Sequence, residues 1–317
     1  MLNYTQDFVI KCLEDNLHIN YVQVYKDGKL VEEYNRIPVK TRLNTWSSSK
    51  GVVSIAAGIA IGEGKLNLDE YLVDCYPEYK DCIKDENLKK VQLKHMLTMT
   101  TGLKKPLFFC DGPDRYTTKD WAKYFFENAE LAYEPGEAFM YSNFNTYMVS
   151  RLIENRVGQN LLEYLRERLF EPMGMHNPDW TLCPMGHVHA ANGLYFTIDE
   201  YAKYGELIRN KGKVGDKQLV PIEYMEKALS PIISLKEVDK NGIFYNGKDN
   251  GYYGYQFWIS ENQKMIHEDG NYGQYLQIFP EQGITVAVMS LDGGEKYAKI
   301  GQYFWKYIAS KILGVEE

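Results

Sequence analysis

The chain has 317 residues, of which 44% are hydrophobic, and carries a formal net charge of −7 at pH 7. A chain of this size can bury one large core, and its acidic balance argues against nucleic acid or an anionic membrane surface as a partner. No run approaches the roughly 20 apolar residues of a membrane span, and the first residues lack the pattern of a secretion signal. Five scattered cysteines without a C-x-x-C pair indicate reduced thiols, so we expect a cytoplasmic protein.

The first elements are predicted to be a helix and a hairpin. Apolar residues at helical spacing favour a short amphipathic helix over 8–17. Residues 21–25 and 30–34 then alternate between apolar and polar on either side of Asp27 and Gly28. An Asp-Gly pair suits a two-residue hairpin turn, so these segments are predicted to be two antiparallel strands.

The stretch 45–62 is polar for a few residues and then almost wholly apolar and small. We interpret it as a buried central helix that ends near Gly62 and Gly64, with Ser47, Ser48 and Ser49 as N-cap or first-turn residues. Its glycines and alanines would let other elements approach its backbone closely.

The middle of the chain is predicted to be helical, and strands return near the end. Helical spacing covers 91–99, 121–128, 145–157, 161–170, 198–209 and 221–228. Strands are predicted over 253–260, 264–268, 275–280 and 284–290, followed by a final helix over 295–312.

Strand signals at both ends of the chain predict an α+β fold. The simplest packing joins the two ends in one antiparallel sheet flanked by the terminal helices. We therefore expect a single catalytic domain over 1–317, with a sheet subdomain formed by 1–45 and 251–317 and a helical lobe over about 63–250.

Ser47 and Lys50 stand three residues apart where the central helix begins, so their side chains share one face. A serine hydroxyl is a weak nucleophile, and an amine one turn away can take its proton if desolvation or a proton relay leaves that amine uncharged. S-x-x-K also arises by chance in a chain rich in Ser and Lys. In that case Ser47 only caps the helix, and Lys50 is a solvated residue of its first turn.

Tyr141, Ser142 and Asn143 follow a turn-rich segment and precede a helix predicted to begin near Asn145. A tyrosine in such a loop can act as a base or proton relay when nearby cations stabilise its phenolate. Because the chain has 26 tyrosines, the position of Tyr141 alone is weak evidence.

Together these motifs resemble the serine β-lactamase and penicillin-binding-protein superfamily, nearest the branch of class C β-lactamases, DD-peptidases and family VIII esterases. That family has an S-x-x-K at the start of its central helix and a Y-x-N about a hundred residues later, as here at Ser47 and Tyr141. The resemblance runs from about residue 43 to residue 290. It includes the phrases at residues 62–69, 93–102, 171–175 and 191–197.

The resemblance implies a role for each matching residue. Ser47 would attack a carbonyl group, and Lys50 and Tyr141 would share the proton transfers. Asn143 would hold Lys50 and the substrate, which would be a small ester, amide or peptide hydrolysed through an acyl-enzyme without a metal or another cofactor. The backbone N–H groups of Ser47 and of Asn271, the residue after Gly270, would form the oxyanion hole.

The third motif of the family, K-T-G or H-x-G, is altered here. If Gly270 sets the register, Glu268 stands where relatives place a cation, and His267 is one residue early. Successive strand residues face opposite sides, so His267 fills that place only through a bulge or a shift. The change argues against carboxylate-bearing substrates. Family VIII esterases and hydrolases of 6-aminohexanoate oligomers also have altered third motifs, and the Gly-x-x-Gly-Gln of the latter resembles residues 270–274.

Other functions have weaker support. His187 and His189 share one side of an extended segment, but no third ligand stands at a recognisable spacing nearby. Gly-x-Ser-x-Gly is absent, and His267 and Asp269 on one strand would not align as a Ser-His-Asp triad. The remaining alternatives are β-lactamase or D-amino-acid peptidase activity, or a non-catalytic penicillin-binding-like module.

Overall fold

The computed structural model describes residues 3–107, 114–235 and 251–315. The helices there are α1 (Gln6–Glu14), α2 (Ser49–Gly62), α3 (Leu93–Leu97), α4 (Asp114–Thr117), α5 (Trp121–Asn128), α6 (Asn143–Val157), α7 (Leu161–Leu165), α8 (Ile198–Arg209), α9 (Ile222–Ala228), α10 (Glu295–Phe304) and α11 (Ser310–Leu313). The strands are β1 (Ile19–Lys26), β2 (Lys29–Asn35), β3 (Leu43–Asn44), β4 (Asp179–Trp180), β5 (Leu194–Phe196), β6 (Lys213–Val214), β7 (Lys217–Gln218), β8 (Ile233–Ser234), β9 (Tyr252–Tyr253), β10 (Trp258–Ile259), β11 (Ile266–Gly270), β12 (Gln274–Phe279) and β13 (Ile284–Ser290).

Shorter helical segments complete the secondary structure. Turns of 3₁₀ helix lie at Trp46–Ser48, Leu72–Cys75, Pro77–Cys82 and Glu86–Lys90. The segments Arg166–Phe170 and Trp305–Ala309 are π-helical, and they continue α7 and α10.

The main sheet has eight strands in the order β2-β1-β13-β12-β11-β10-β9-β8. Strand β1 pairs antiparallel with β13, which brings the two ends of the chain together as the sequence predicts. The β1–β2 hairpin turns through Asp27 and Gly28, both at positive φ. The α+β fold with an antiparallel sheet is confirmed.

The two faces of the sheet belong to different cores. Side chains that alternate along β12 separate Leu276 and Ile278, which join the large core around α2, from Tyr275 and Phe279, which pack with α1 and α10. This alternation follows from the two-residue period of a strand. It also means that neighbouring residues of β11 lie on opposite faces of the sheet.

Helix α2 is the central helix expected from the sequence, and 12 of its residues are buried. Ser48 stands at the N-cap position of α2 and Ser49 is its first residue, but no side chain makes a capping hydrogen bond there or at the 3₁₀ turn before it. Instead, Ser48 Oγ lies 2.7 Å from the Tyr201 hydroxyl, and Ser49 Oγ donates to the Ala190 carbonyl at 2.8 Å.

Helix α8 lies within the range assigned to the helical lobe, yet it packs on the sheet against β1, β12 and β13. The contact is close at Gly205, where a Cβ would lie 2.5 Å from Thr285 and 2.7 Å from Leu276. The short strand β8 also comes from this range and extends the sheet. The helical periodicity of 198–209 is correct, but periodicity does not say what a helix packs against.

Two further predictions concern the membrane and the cysteines. Within the described ranges, none of the helices combines the length and the apolar character that crossing a membrane requires. Cys12, Cys75, Cys82 and Cys183 are free thiols, whereas Cys110 lies outside the described residues.

Candidate active site

Ser47 and Lys50 meet at the start of the central helix. Ser47 lies in the 3₁₀ turn before α2 and is partly exposed, whereas Lys50 is 1% exposed. The Nζ atom of Lys50 lies 3.1 Å from Ser47 Oγ, a hydrogen-bond distance. An accessible hydroxyl thus contacts a buried amine, as a serine nucleophile and its proton acceptor require.

Two other groups hold the Lys50 side chain in place. Nζ donates to the Ala191 carbonyl at 2.9 Å, and it lies over the ring of Tyr141, 4.8 Å from the ring centroid. An ammonium group gains from both contacts, through the carbonyl dipole and the negative face of the ring. The structure therefore brings three of the predicted site residues, Ser47, Lys50 and Tyr141, into one cluster.

The segment 190–194 supports this helix end through its backbone. The Ala190 carbonyl accepts from Ser49 Oγ, the next carbonyl accepts from Lys50, and the Leu194 carbonyl accepts from the N–H of Thr45 at 2.8 Å. Ala190 has a φ of +63°, in the left-handed region that residues with a Cβ rarely adopt. This backbone conformation places two successive carbonyls against one helix end.

Tyr141 and Asn143 lie at the start of α6, Tyr141 just before the helix and Asn143 as its first residue. The helix begins at Asn143, two residues earlier than expected, because Ser142 Oγ caps it by accepting from Phe144 N at 3.2 Å. The ring of Tyr141 stacks on Trp258, with centroids 5.4 Å apart and planes 28° apart. Asn143 is 8% exposed and lines a small cavity together with Ala191, the residue whose carbonyl accepts from Lys50.

The carboxyl end of β11 lies against the Ser47 turn. A Cβ on Gly270 would be 2.2 Å from the carbonyl oxygen of Thr45, so only glycine permits this approach. Asn271 follows as the first residue of the β11–β12 turn, and its carbonyl accepts from Gln274 Nε2 at 3.4 Å. Asn271, whose N–H is one of the two predicted donors of the oxyanion hole, therefore follows directly on the strand end that packs against the Ser47 turn.

Glu268 does not face the substrate side, contrary to the sequence prediction. Its carboxyl group is buried between β11 and helices α2 and α8, where the Tyr204 hydroxyl donates to Oε1 at 3.0 Å. Burial raises the pKa of this carboxyl well above its usual range, and the negative charge of Asp269 acts in the same direction. These effects outweigh the Tyr204 hydrogen bond and the positive charge of Lys50. Glu268 is therefore a buried acid whose protonated form is favoured relative to that of an exposed carboxyl group.

His267 lies on the opposite face of β11, as strand alternation requires. It pairs across the sheet with Trp258, and the two rings stack with centroids 6.4 Å apart. Its Nδ1 lies 3.2 Å from Asp269 Oδ2. Since Trp258 also stacks on Tyr141, His267 and not Glu268 is the third-motif residue on the Tyr141 side.

Trp46 directly precedes the candidate nucleophile, and Tyr272 lies in the β11–β12 turn. Both have left-handed backbones, with φ values of +51° and +63°. Their rings stack with centroids 4.9 Å apart and planes 28° apart. A bulky residue in this backbone region costs about 1–3 kcal/mol, a strain that tends to occur at functional sites.

The two histidines considered as metal ligands lie in separate networks. His187 contacts Glu154 and Arg151, whereas His189 Nδ1 accepts from Arg115 Nη2 at 2.8 Å. Burial lowers the pKa of His189 to about 4. Over the ranges that the structure describes, no group of three or more His, Cys, Asp and Glu residues is placed to hold a metal ion.

Comparison with known proteins identifies the family of this chain. The sequence profile of the family described as Beta-lactamase matches residues 20–307. The chain belongs to the beta-lactamase family. Among curated proteins, Protein flp of Staphylococcus aureus strain N315 is 23% identical over 194 residues, which is 55% of this chain and 38% of that protein. The chain thus matches well under half the length of this relative.

Solved structures agree with this beta-lactamase fold. The putative 6-aminohexanoate-dimer hydrolase from Bacillus anthracis superposes with a TM-score of 0.76 at 20% identity, covering 97% of this chain and 83% of that chain. EstCE1, a hydrolase with promiscuous acyltransferase activity, superposes with a TM-score of 0.75 at 15% identity and covers 97% of each chain. At these identities the likeness concerns the fold.

Several site features of this beta-lactamase-family chain were missed from the sequence. The contact of Lys50 with the Ala191 carbonyl depends on the fold. Residues 191–197 carry one of the family phrases, but the phrase does not indicate this contact. The stack of Tyr141 on Trp258 depends on how the loop before α6 packs against β10, for which the local sequence holds no signal. The Trp46–Tyr272 stack joins residues more than 200 positions apart and had no signal either.

Proposed function

We propose that this protein is a serine hydrolase that cleaves small, neutral ester or amide substrates through an acyl-enzyme on Ser47. The observation that carries the proposal is the 3.1 Å contact between Ser47 Oγ and the buried Lys50 Nζ. Membership of the beta-lactamase family supports a hydrolytic reaction at this position.

In the proposed reaction, Ser47 Oγ attacks the substrate carbonyl carbon and its proton passes to the Lys50–Tyr141 unit. The tetrahedral intermediate then collapses, the leaving group takes up that proton, and an ester to Ser47 remains. Water attacks the carbonyl carbon of this ester in the second step and gives a proton to the same groups; the bond between the acyl carbon and Ser47 Oγ then breaks, Ser47 Oγ takes up that proton, and the acid is released. Lys50 is placed for this exchange because Nζ contacts Ser47 and also lies over the Tyr141 ring.

The negative oxygen of the intermediate would be bound at the junction of two segments. One donor is the N–H of Ser47, which lies in the first turn of a helical segment, where N–H groups lack intrahelical acceptors. The second comes from the end of β11, from Asn271 or its neighbour Gly270, since this strand end packs on the Thr45 carbonyl. Loss of one such donor typically costs about 10²–10³ in kcat.

The preference for neutral substrates rests on the third motif. His267 stands there beside an acidic partner, Asp269, instead of the lysine of K-T-G. The carboxylate of Asp269 offsets positive charge on the imidazole, so the pair is a weak receptor for a substrate carboxylate. The carboxyl group of Glu268 is buried and accepts a hydrogen bond from the Tyr204 hydroxyl.

Covalent labelling tests the nucleophile. A fluorophosphonate should add one label to the wild-type protein and none to Ser47→Ala, as measured by intact-protein mass spectrometry. Ser48→Ala is the matched control, because this adjacent serine is buried against Tyr201 and should not affect labelling. Equal labelling of the wild type and Ser47→Ala, or loss only in Ser48→Ala, would contradict the assignment.

Turnover tests the reaction class. A panel of p-nitrophenyl esters, cephalosporins and small D-amino-acid amides should give a burst followed by steady turnover on the neutral esters. A burst without turnover would instead indicate a penicillin-binding-like module, and efficient cephalosporin hydrolysis would indicate a β-lactamase.

A further inference from the structure

We propose that the stacked rings of Trp46 and Tyr272 form a clamp that sets the spacing between the two donors of the oxyanion hole. The inference rests on the proposed acyl transfer at Ser47. The clamp consists of these two residues only, and both act as positioning residues.

Each residue of the clamp precedes a donor segment or belongs to it. Trp46 is bonded directly to Ser47, and Tyr272 directly to Asn271. These two segments approach each other because Gly270 packs against the Thr45 carbonyl. That contact brings the backbones together at one point, and the ring stack adds a second point of contact, which fixes their relative rotation.

Both residues of the clamp are also tied to neighbouring segments. The backbone N–H of Trp46 donates to Asn44 Oδ1 at 2.8 Å, and the same oxygen accepts from the backbone N–H of Gly193 at 3.1 Å. A Cβ on Gly293 would lie 2.8 Å from Cε1 of Tyr272, so the ring of Tyr272 rests on the backbone there. The clamp is thus anchored to the body of the protein at both sides.

Packing in the core does not explain the arrangement. Tyr272 is 40% exposed and Trp46 is partly exposed, so neither ring is needed to fill the interior. Yet both residues adopt left-handed backbones, which glycine or asparagine would adopt with less strain. Retaining two large aromatic side chains at strained, partly exposed positions beside the candidate nucleophile points to a role in the spacing of the donors.

Variants that tolerate the left-handed backbone separate function from stability. Tyr272→Gly and Tyr272→Asn both lose the ring but suit the positive φ, so the melting temperature should not fall. We expect kcat for a neutral ester to drop by about tenfold to a hundredfold, with KM changed by less than about threefold, since a displaced donor is a partial loss of the hole. Tyr272→Phe keeps the ring and should keep the activity.

A matched pair of ester and thionoester substrates reports on the hole itself. Sulfur accepts hydrogen bonds weakly, so a thionoester gains little from the two N–H donors. Loss of the clamp should therefore slow the ester far more than the thionoester. Trp46→Gly should give the same pattern, and the double variant should be little worse than either single variant, since each removes the same stack.

The proposal is wrong if Tyr272→Gly and Tyr272→Asn turn over the ester at the wild-type rate. It is also wrong if the ester and the thionoester slow by equal factors, because a general disturbance of the site would do that. These results leave the proposed function intact as long as the wild type is acylated on Ser47. Failure to acylate wild-type Ser47 would overturn the proposed function, and the clamp with it.

Discussion

The carboxyl group of Glu268 occupies the space that a side chain at position 51 would fill. A Cβ on Gly51 would lie 1.5 Å from Glu268 Oε1 and 2.4 Å from the Tyr204 hydroxyl. Gly51 directly follows Lys50, so this contact couples the back of the candidate active site to the sheet. Oε2 of Glu268 has no hydrogen-bond partner within the part of the chain that the structure describes.

Gly51→Ala should therefore destabilise the protein, although alanine is the better helix former. Overpacking at a buried site costs about 1–3 kcal/mol, which urea denaturation would measure as a lower midpoint at an unchanged slope. Glu268→Ala supplies the control, because it removes the group that the new methyl meets. The double variant should be less destabilised than the sum of the two single variants. Strict additivity would show that the two residues do not compete for this space.

The pH dependence of stability should report the buried acid. Burial raises the pKa of Glu268 in the folded protein well above the usual range, whereas in the unfolded chain this carboxyl loses its proton near about pH 4.3. The folded state thus binds one proton more, so this group's contribution to stability falls as pH rises from about 4.3 towards the folded pKa.

Glu268→Gln removes this titration while keeping the shape of the side chain. The free energy of unfolding of the variant minus that of the wild type should increase with pH, by up to about 1.4 kcal/mol per unit. Chemical denaturation at several values between about pH 5 and 8 measures it. A difference that stays constant over this range would mean that the carboxyl is ionised in the folded protein.

Glu268 also illustrates where sequence reasoning failed. The sheet, its antiparallel closure and the central helix could be predicted, since alternation and small apolar residues report directly on strands and buried helices. The register of the third motif could not be predicted from glycine positions alone. Neighbouring strand residues lie on opposite faces, so an error of one residue in the alignment of the motif exchanges the expected positions of His267 and Glu268.

The candidate site was predictable only where its parts are close in sequence. Ser47 and Lys50 lie within one helical turn, so their contact follows from helix geometry. The partners that hold them come from distant segments: the Ala191 carbonyl, the Tyr141 ring and its neighbour Trp258. No periodicity encodes such contacts, because they depend on how helices and strands dock.

Lys50 and Tyr141 should behave as one proton-handling unit. Lys50→Ala and Tyr141→Phe should each lower kcat on a neutral ester by about 10²–10⁴, the usual range for general acid–base groups. Because each change interrupts the same proton path, the double variant should be little slower than the slower single variant. Steady-state kinetics of all four proteins tests this. Modest effects that simply multiply would count against a shared relay.

A cation at position 267 should change the substrate preference. The family resemblance associates lysine at the third motif with carboxylate-bearing substrates, and His267 is the residue on the Tyr141 side of β11. His267→Lys should therefore speed acylation by penicillins or cephalosporins severalfold and leave a neutral ester little changed. At about 4 Å and an effective dielectric constant of 20, two unit charges interact by about 4 kcal/mol, and a fraction of this suffices.

Glu268→Lys is the matched control for that experiment. It adds the same charge one residue away, but on the buried face beside Tyr204 and Gly51, so it should unfold or destabilise the protein without improving β-lactam acylation. Stopped-flow acylation rates and a thermal melt for both variants distinguish the two positions. If Glu268→Lys folded normally and gained activity on cephalosporins while His267→Lys did not, the assignment of the two faces of β11 would have to be exchanged.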